Sequence, residues 1–141
     1  MGKKEIAQKY FRDGYNCCQA VFATFCQDYG IDLETGLKLS SSFGGGMGGL
    51  GQVCGTVTAM FMIAGLKYGY PDVQDKMKKV NHNKLIQNLA KEFTDKFGSI
   101  LCKDLLLSNA KIKPEMFPSG QKPVRPCERF VLYAVEMIEK L

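Results

Sequence analysis

A chain of 141 residues that is 45% apolar and 23% charged has the size and composition of a single globular domain, residues 1–141. Its net charge of +5 comes from dispersed lysines rather than a basic cluster interleaved with aromatic residues, which argues against nucleic-acid binding. The longest apolar run, residues 53–66, is too short to cross a bilayer, and the N-terminus lacks the apolar core of a signal peptide. We therefore expect a cytoplasmic protein that does not bind membranes.

The spacing of apolar residues predicts an all-α fold, a compact bundle of about five to seven helices with no strand. Asn16 and Asp32 are predicted N-caps, Gly30 and Gly98 are predicted helix ends, and Asp72 is expected near the start of the longest helix. Residues 111–126 hold four of the five prolines and predict an irregular connection. The predicted helices cover about residues 6–12, 17–30, 33–43, 53–68, 73–97, 102–107 and 127–140.

A glycine-rich loop, residues 44–51, separates the third and fourth predicted helices. Glycine has no side chain to pack, so such a loop suits a backbone that bends sharply or approaches another group closely. Its sequence also matches the dinucleotide-binding pattern G-x-G-x-x-G, but no buried strand precedes it, and we expect no nucleotide. Its N–H groups are instead suited to surrounding thiolates, cluster sulfides or a small anion, and close packing of helices is an equally open role for the glycines. The glycines assigned to this cofactor-binding role are Gly44, Gly45, Gly46 and Gly48.

The six cysteines are the residues most able to carry chemistry, and none belongs to a C-x-x-C pair. Cys17, Cys54 and Cys127 each lie in the first turn of a predicted helix, where the helix dipole favours a thiolate. Cys102 closely follows a predicted helix break at residues 98–99. Cys18 and Cys26 instead share a helix face and are predicted core residues, although their participation in a site stays open.

Four segments in chain order resemble the family known as C-GCAxxG-C-C, whose bacterial and archaeal members are named as redox-active proteins. The segments are residues 15–21 (YNCCQAV), 43–59 (the glycine loop followed by CGTVTA), 97–106 (FGSILCKDLL) and 126–127 (Pro-Cys). The resemblance covers about residues 10–135 and implies a helical protein with a redox or metal role. It maps the four characteristic cysteines of the family onto Cys17, Cys54, Cys102 and Cys127. Cys18, Thr56 and Ala59 depart from the family pattern and call into question the packing at the glycine loop.

The leading hypothesis is that these four cysteines converge beside the glycine loop as one redox or metal centre. Four thiolates can bind an iron–sulfur cluster, which we favour, or zinc or another metal. Reversible disulfides are an alternative for any pair whose Cα atoms lie within about 7 Å. No haem is expected, because the chain has no Cys-x-x-Cys-His. The electron-transfer partner is not specified by the sequence.

A different class of function is also compatible with these residues. The chain could be a non-catalytic helical binding or assembly module in which the cysteines are small buried apolar side chains. A homodimer is a further expectation, because Met47, Met60 and Met62 lie in a very apolar region; the same methionines also fit a core.

Overall fold

The computed structural model describes residues 1–109 and 126–141, and within these ranges the predicted all-α fold is confirmed. The described residues contain seven α-helices, two short 3₁₀ segments and one isolated antiparallel bridge between Val53 and Leu101. The predicted irregular connection at residues 111–126 lies outside the described residues except for its last one. The helices are α1 Lys3–Arg12, α2 Cys17–Phe25, α3 Leu33–Ser40, α4 Gly55–Tyr68, α5 Lys76–Phe97, α6 Cys102–Asn109 and α7 Glu128–Glu139.

Helix α2 lies at the centre of the molecule and packs against α1, α3, α4 and α7. Seven of its nine residues are buried, because the segment from Cys18 to Phe25 is apolar apart from Gln19 and Thr24. Thr24 satisfies its hydroxyl within the helix by donating a hydrogen bond to the carbonyl oxygen of Ala20. The burial of Cys18 and Cys26 in this core agrees with the predicted packing role. Met60 is also fully buried, so it belongs to the core rather than to an exposed dimer surface.

An aromatic cluster joins the C-terminal end of α5 to the first half of α7. Phe97 lies 4.7 Å from Phe130 and 5.2 Å from Tyr133 between ring centroids, in edge-to-face geometry. Phe93 contacts the same rings from one turn earlier in α5. Such aromatic pairs stabilise packing by about 0.5–1.5 kcal/mol beyond the burial of their area. The cluster therefore fixes the start of α7 next to the segment that leads into α6.

Helix α5 is the longest helix, but only Leu89 and Phe93 are buried along its 22 residues. Its first half carries several lysines and leaves Met77 and Val80 exposed. In the parts of the chain that the structure covers, no helix combines the length and apolarity needed to span a bilayer.

Three predicted helix starts are wrong by two or three residues, and the helix predicted over residues 17–30 ends at Phe25, where a 3₁₀ segment, Cys26–Tyr29, follows. Helix α1 begins at Lys3 rather than about residue 6. Helix α5 begins at Lys76 rather than residue 73, because Asp75 accepts the hydrogen bond from the Lys78 N–H. Asp72, expected near the helix start, instead accepts from the Gln74 N–H in the preceding turn. Helix α4 begins at Gly55 rather than residue 53, because Val53 belongs to the isolated bridge.

The start of α2 is held by a reciprocal capping box. The Asn16 side chain accepts from the Gln19 N–H at 2.9 Å, and the Gln19 side chain accepts from the Asn16 N–H at 3.1 Å. The two amide groups also donate to the carbonyl oxygens of Ser41 and Leu37, at 3.1 Å each. These bonds tie the N-terminus of α2 to the end of α3, so Cys17, the first residue of α2, has a fixed position.

Replacing Asn16 by alanine is expected to lower the free energy of unfolding by about 1–2 kcal/mol, because the cap and the bond to Ser41 are both lost. Urea denaturation followed by circular dichroism measures this loss. Asp32→Ala is the matched control, since Asp32 caps α3 through the Thr35 N–H at an exposed site. Both variants should lose stability, but only Asn16→Ala should change the rate at which Cys17 is alkylated. An equal alkylation rate in both variants would contradict the positioning role of the cap.

Candidate functional site

The glycine loop is a short left-handed turn of the backbone. Five consecutive residues, 45 to 49, have φ between 62° and 79°, and four of them are glycine. An L-residue in this conformation costs roughly 1–2 kcal/mol, which explains why glycine occupies all but the Met47 position. The N–H groups of Gly51 and Gln52 close the turn by donating to the carbonyl oxygens of Gly45 and Gly46.

The end of this loop pairs with the segment that precedes α6. The Cys54 N–H donates to the Ile100 carbonyl oxygen at 2.7 Å, and the Cys102 N–H donates to the Gln52 carbonyl oxygen at 2.6 Å. These two bonds flank the bridge between Val53 and Leu101. They bring together two cysteines that are 48 positions apart in the sequence. Cys54 is the N-cap residue of α4, and Cys102 is the first residue of α6.

Two glycines make the approach of the cysteines possible because a side chain at either position would collide with them. A Cβ atom on Gly55 would stand 2.5 Å from the Cys17 Sγ atom and 3.0 Å from the Phe43 carbonyl oxygen. A Cβ atom on Gly46 would stand 2.6 Å from the Cys102 Cβ atom and 2.6 Å from the Gln52 nitrogen. The backbone itself is therefore part of the wall around the sulfur atoms.

Replacing Gly46 by alanine is expected to lower the free energy of unfolding by about 2–5 kcal/mol, the sum of left-handed strain and overpacking. Gly49→Ala is the matched control: its φ is also left-handed, at 79°, but an added Cβ would meet nothing within 4 Å. The free energy of unfolding of that variant should fall by only about 1–2 kcal/mol, from the left-handed strain alone. Urea denaturation measures both losses. If the two losses were equal, the packing of Cys102 against the loop would be refuted.

Cys127 reaches the same region from the other end of the chain. It is the N-cap residue of α7, and its carbonyl oxygen accepts from the N–H groups of Phe130 and Val131. The next residue, Glu128, forms an ion pair with Arg12 of α1, with 2.7 Å between the Arg12 Nε and Glu128 Oε1 atoms. This pair and the aromatic cluster hold the first turn of α7 in place.

The four cysteines line one cavity of about 90 Å³. Cys54 and Cys102 are buried, whereas Cys17 and Cys127 are partly exposed. Of the glycines assigned to cofactor binding, only Gly45 lines the cavity; Gly44 packs against Asn16 and Gly46 against Cys102. Gly48 has the Ser42 carbonyl oxygen as the nearest contact of an added Cβ and lies away from the sulfur atoms. The residues that line the cavity are Cys17, Gly45, Cys54, Cys102, Leu105, Leu106, Cys127 and Phe130.

The electrostatic surroundings of Cys17 differ from those of its neighbours. A hydrogen bond from the Cys54 thiol is the largest influence, and it lowers the pKa of Cys17 to about 6 against the opposing effect of burial. The backbone N–H groups of Gly45, Cys18 and Gly55 lower the pKa further. Four donors around one sulfur atom stabilise its charged form, so Cys17 is mostly a thiolate at neutral pH.

The thiols of Cys54, Cys102 and Cys18 are held in the neutral form. The hydrogen bond that Cys54 donates to Cys17, together with burial, raises the pKa of Cys54. Burial, with a smaller effect of the Cys17 charge, raises the pKa of Cys102 and of Cys18. Cys17 and Cys54 therefore form an unequal pair, with one thiolate and one thiol that share a proton through a hydrogen bond.

Thr56 is a member of this site that the sequence analysis missed. Its side chain is buried, and its hydroxyl lies 3.1 Å from the Cys54 Sγ atom in a hydrogen bond. This contact restricts the orientation of the Cys54 side chain. The available signal is a hydroxyl residue two positions after a cysteine at a helix start.

The arrangement does not form a ready-made metal site. Across residues 1–109 and 126–141, no group of three or more His, Cys, Asp or Glu side chains is placed to hold a metal ion. The expected iron–sulfur cluster or other metal, and the ligand role of the four cysteines, therefore stay predictions.

Together, the fold and the site define a class of protein: a small all-α domain in which four helix starts bring cysteines to one cavity beside a left-handed glycine loop. The sequence profile of a family described as "Putative redox-active protein (C_GCAxxG_C_C)" matches residues 15–141, so the chain belongs to that family. Comparisons with curated proteins and with solved structures gave no match.

Proposed function

We propose that this chain is a thiol–disulfide redox protein in which Cys17 is the reactive thiolate and Cys54 is the second sulfur of the pair. The observation that carries the proposal is that Cys17 and Cys54 line one cavity at the glycine loop, where the Cys54 thiol is close enough to lower the pKa of Cys17. A thiolate is the nucleophile of disulfide exchange, and a neighbouring thiol within hydrogen-bonding distance can close an internal disulfide.

The chemistry follows from the unequal protonation of the pair. The Cys17 thiolate attacks one sulfur of a substrate disulfide, forms a mixed disulfide and releases the other substrate sulfur as a thiolate. Cys54 then gives up its proton and attacks the Cys17 sulfur, which releases the second substrate sulfur. Two electrons pass to the substrate, and the protein retains a disulfide between Cys17 and Cys54. A small dithiol reverses these steps.

The test is to equilibrate the protein with mixtures of reduced and oxidised dithiothreitol, alkylate the remaining thiols and map disulfides by peptide mass spectrometry. We expect one reversible disulfide between Cys17 and Cys54. It should be absent from Cys54→Ala and retained in Cys26→Ala, a control in which the replaced cysteine is buried but does not line the cavity. Failure to form this disulfide at any ratio would overturn the proposal.

Metal binding by the four cysteines is the competing function, and it is supported by their position around one cavity. Measurement of iron, zinc and acid-labile sulfide on anaerobically purified protein separates the two functions. Stoichiometric metal that protects all four thiols from alkylation would replace the dithiol proposal. Free thiols, of which Cys17 alone reacts rapidly at pH 6, would support it. The third function, a binding module with inert cysteines, requires that no thiol reacts faster than the others.

A further inference from the structure

The cavity beside Cys17 restricts what can reach the thiolate. Its volume of about 90 Å³ leaves room for several water molecules, since one water needs about 10–15 Å³. Cys54 and Cys102, on its walls, are only 4% and 8% exposed. A molecule with a few non-hydrogen atoms fits this space, whereas a bulky substituent does not.

The residues that line the cavity also affect which charge a reactant can carry. Within residues 1–109 and 126–141, the residues that line the cavity besides the four cysteines and Gly45 are Leu105, Leu106 and Phe130, and these three are uncharged. An anion that entered would lose hydration without a cationic partner among the described lining residues, and it would also be repelled by the negative Cys17 sulfur. A small neutral molecule pays neither cost. The cavity therefore favours a small, uncharged reactant that can accept electrons from a thiolate.

We infer that the reactant is a small hydroperoxide, such as hydrogen peroxide, and that this domain reduces it with Cys17 and Cys54. The inference rests on the proposed dithiol function and adds the substrate class. The Cys17 sulfur attacks one peroxide oxygen and the O–O bond breaks. The sulfur becomes a sulfenic acid, and the departing hydroxide takes a proton to become water. The Cys54 sulfur then attacks Cys17, the S–O bond breaks, the Cys54 proton leaves with the oxygen, and a second water forms.

The overall step balances in atoms, charge and electrons. One thiolate, one thiol, one hydrogen peroxide and one proton give one disulfide and two waters, with two electrons passing from the sulfur pair to the two oxygens. An external dithiol completes the cycle by exchange: it becomes a disulfide and returns the thiolate, the thiol and a proton. The N–H groups around Cys17 stabilise the negative charge at the attacking sulfur.

The test compares peroxides of different size on the fully reduced protein by stopped-flow consumption assays. Hydrogen peroxide should react with the protein at least about tenfold faster than with an equal concentration of a free low-molecular-weight thiolate, since the site is preorganised. Cumene hydroperoxide, which carries a bulky aromatic group, should react more slowly than hydrogen peroxide. In Cys54→Ala, the sulfenic acid on Cys17 should persist and be trapped by dimedone, because no second sulfur can close the disulfide.

A matched pair of variants tests the size limit. Leu106 lines the cavity and is 46% exposed, so Leu106→Ala should widen the entrance and raise the rate with cumene hydroperoxide. Leu107→Ala is the control, because its side chain is 69% exposed and does not line the cavity. Both variants alter exposed side chains of α6 and should fold normally.

The outcomes separate this inference from the proposed function. The disulfide between Cys17 and Cys54 could form in dithiothreitol mixtures while hydrogen peroxide reacts with the protein no faster than with a free thiolate. That pair of results would overturn the inference and leave the dithiol function standing. Equal rates for the two peroxides in the unmodified protein would also overturn the inference. No disulfide under either oxidant would overturn both. Fast, size-selective reaction that ends in the disulfide would establish the hydroperoxide as substrate.

Discussion

Iodoacetamide is expected to alkylate Cys17 at pH 6 roughly 20-fold faster than it alkylates an ordinary thiol. With its pKa lowered to about 6, half of Cys17 is thiolate at that pH, against about one part in a thousand for a thiol at the ordinary value of 9.0. The more acidic thiolate is intrinsically less nucleophilic, which reduces the gain of about 500-fold in thiolate to roughly 20-fold.

The measurement is the alkylation rate of each cysteine between pH 4 and pH 9, followed by peptide mass spectrometry. The rate at Cys17 should rise with a midpoint near pH 6. If iodoacetamide reached Cys17 only slowly, the alkylation rate would be lower at every pH, but the midpoint of its pH dependence would not move. Cys54→Ala removes the largest cause of the low pKa, so the midpoint should move to higher pH, whereas Cys26→Ala should leave it in place. A midpoint near 9 in the unmodified protein would refute the asymmetric pair.

The second large effect is on stability: the free energy of unfolding of the reduced protein should increase between pH 6 and pH 9. Cys17 loses its proton near pH 6 in the folded protein but near 9.0 in the unfolded chain, so the unfolded chain binds more protons between these values. Stability then rises with pH, by at most about 4 kcal/mol. This contribution is complete above pH 9 and is lost as the pH falls through 6.

The opposite sign applies to Cys54 and Cys18, whose pKa values are raised in the folded protein by burial and the neighbouring sulfur. Their contribution is complete below pH 9 and decreases above it, because only the unfolded chain then releases these protons. We therefore expect a maximum of stability near pH 9 in urea denaturation under reducing conditions. In Cys17→Ser, the increase between pH 6 and pH 9 should disappear. If the free energy of unfolding of Cys17→Ser increased with pH as steeply as that of the unmodified protein, another group would be responsible.

Several elements could be predicted from local sequence because their signals act over a few residues. Asn16 and Asp32 cap their helices as expected, and Gly98 ends α5 in the left-handed conformation. The position of cysteines at helix starts was also predictable, since capping and turn residues mark those starts. The glycine loop bends sharply and lies against other groups, which are the two properties that glycine permits.

The errors arise where a tertiary contact decides the local structure. Val53 has helical apolar spacing, but it pairs with Leu101, and only the folded protein makes that partner available. The choice of Asp75 over Asp72 as the cap of α5 depends on the turn between them. Thr56 could not be assigned to the site because its role depends on the orientation of the Cys54 sulfur.

The sequence by itself determined the helical class, the main helix boundaries, the family resemblance and the four cysteines that merit attention. Those properties follow from periodicity, capping and residue type, which are local. Only the tertiary structure decided that the four cysteines share one cavity and that Cys17 and Cys54 are a hydrogen-bonded pair with different pKa values. The reason is physical: the pKa of a thiol is set by burial and by donors within a few ångströms, and those donors come from segments far apart in the chain.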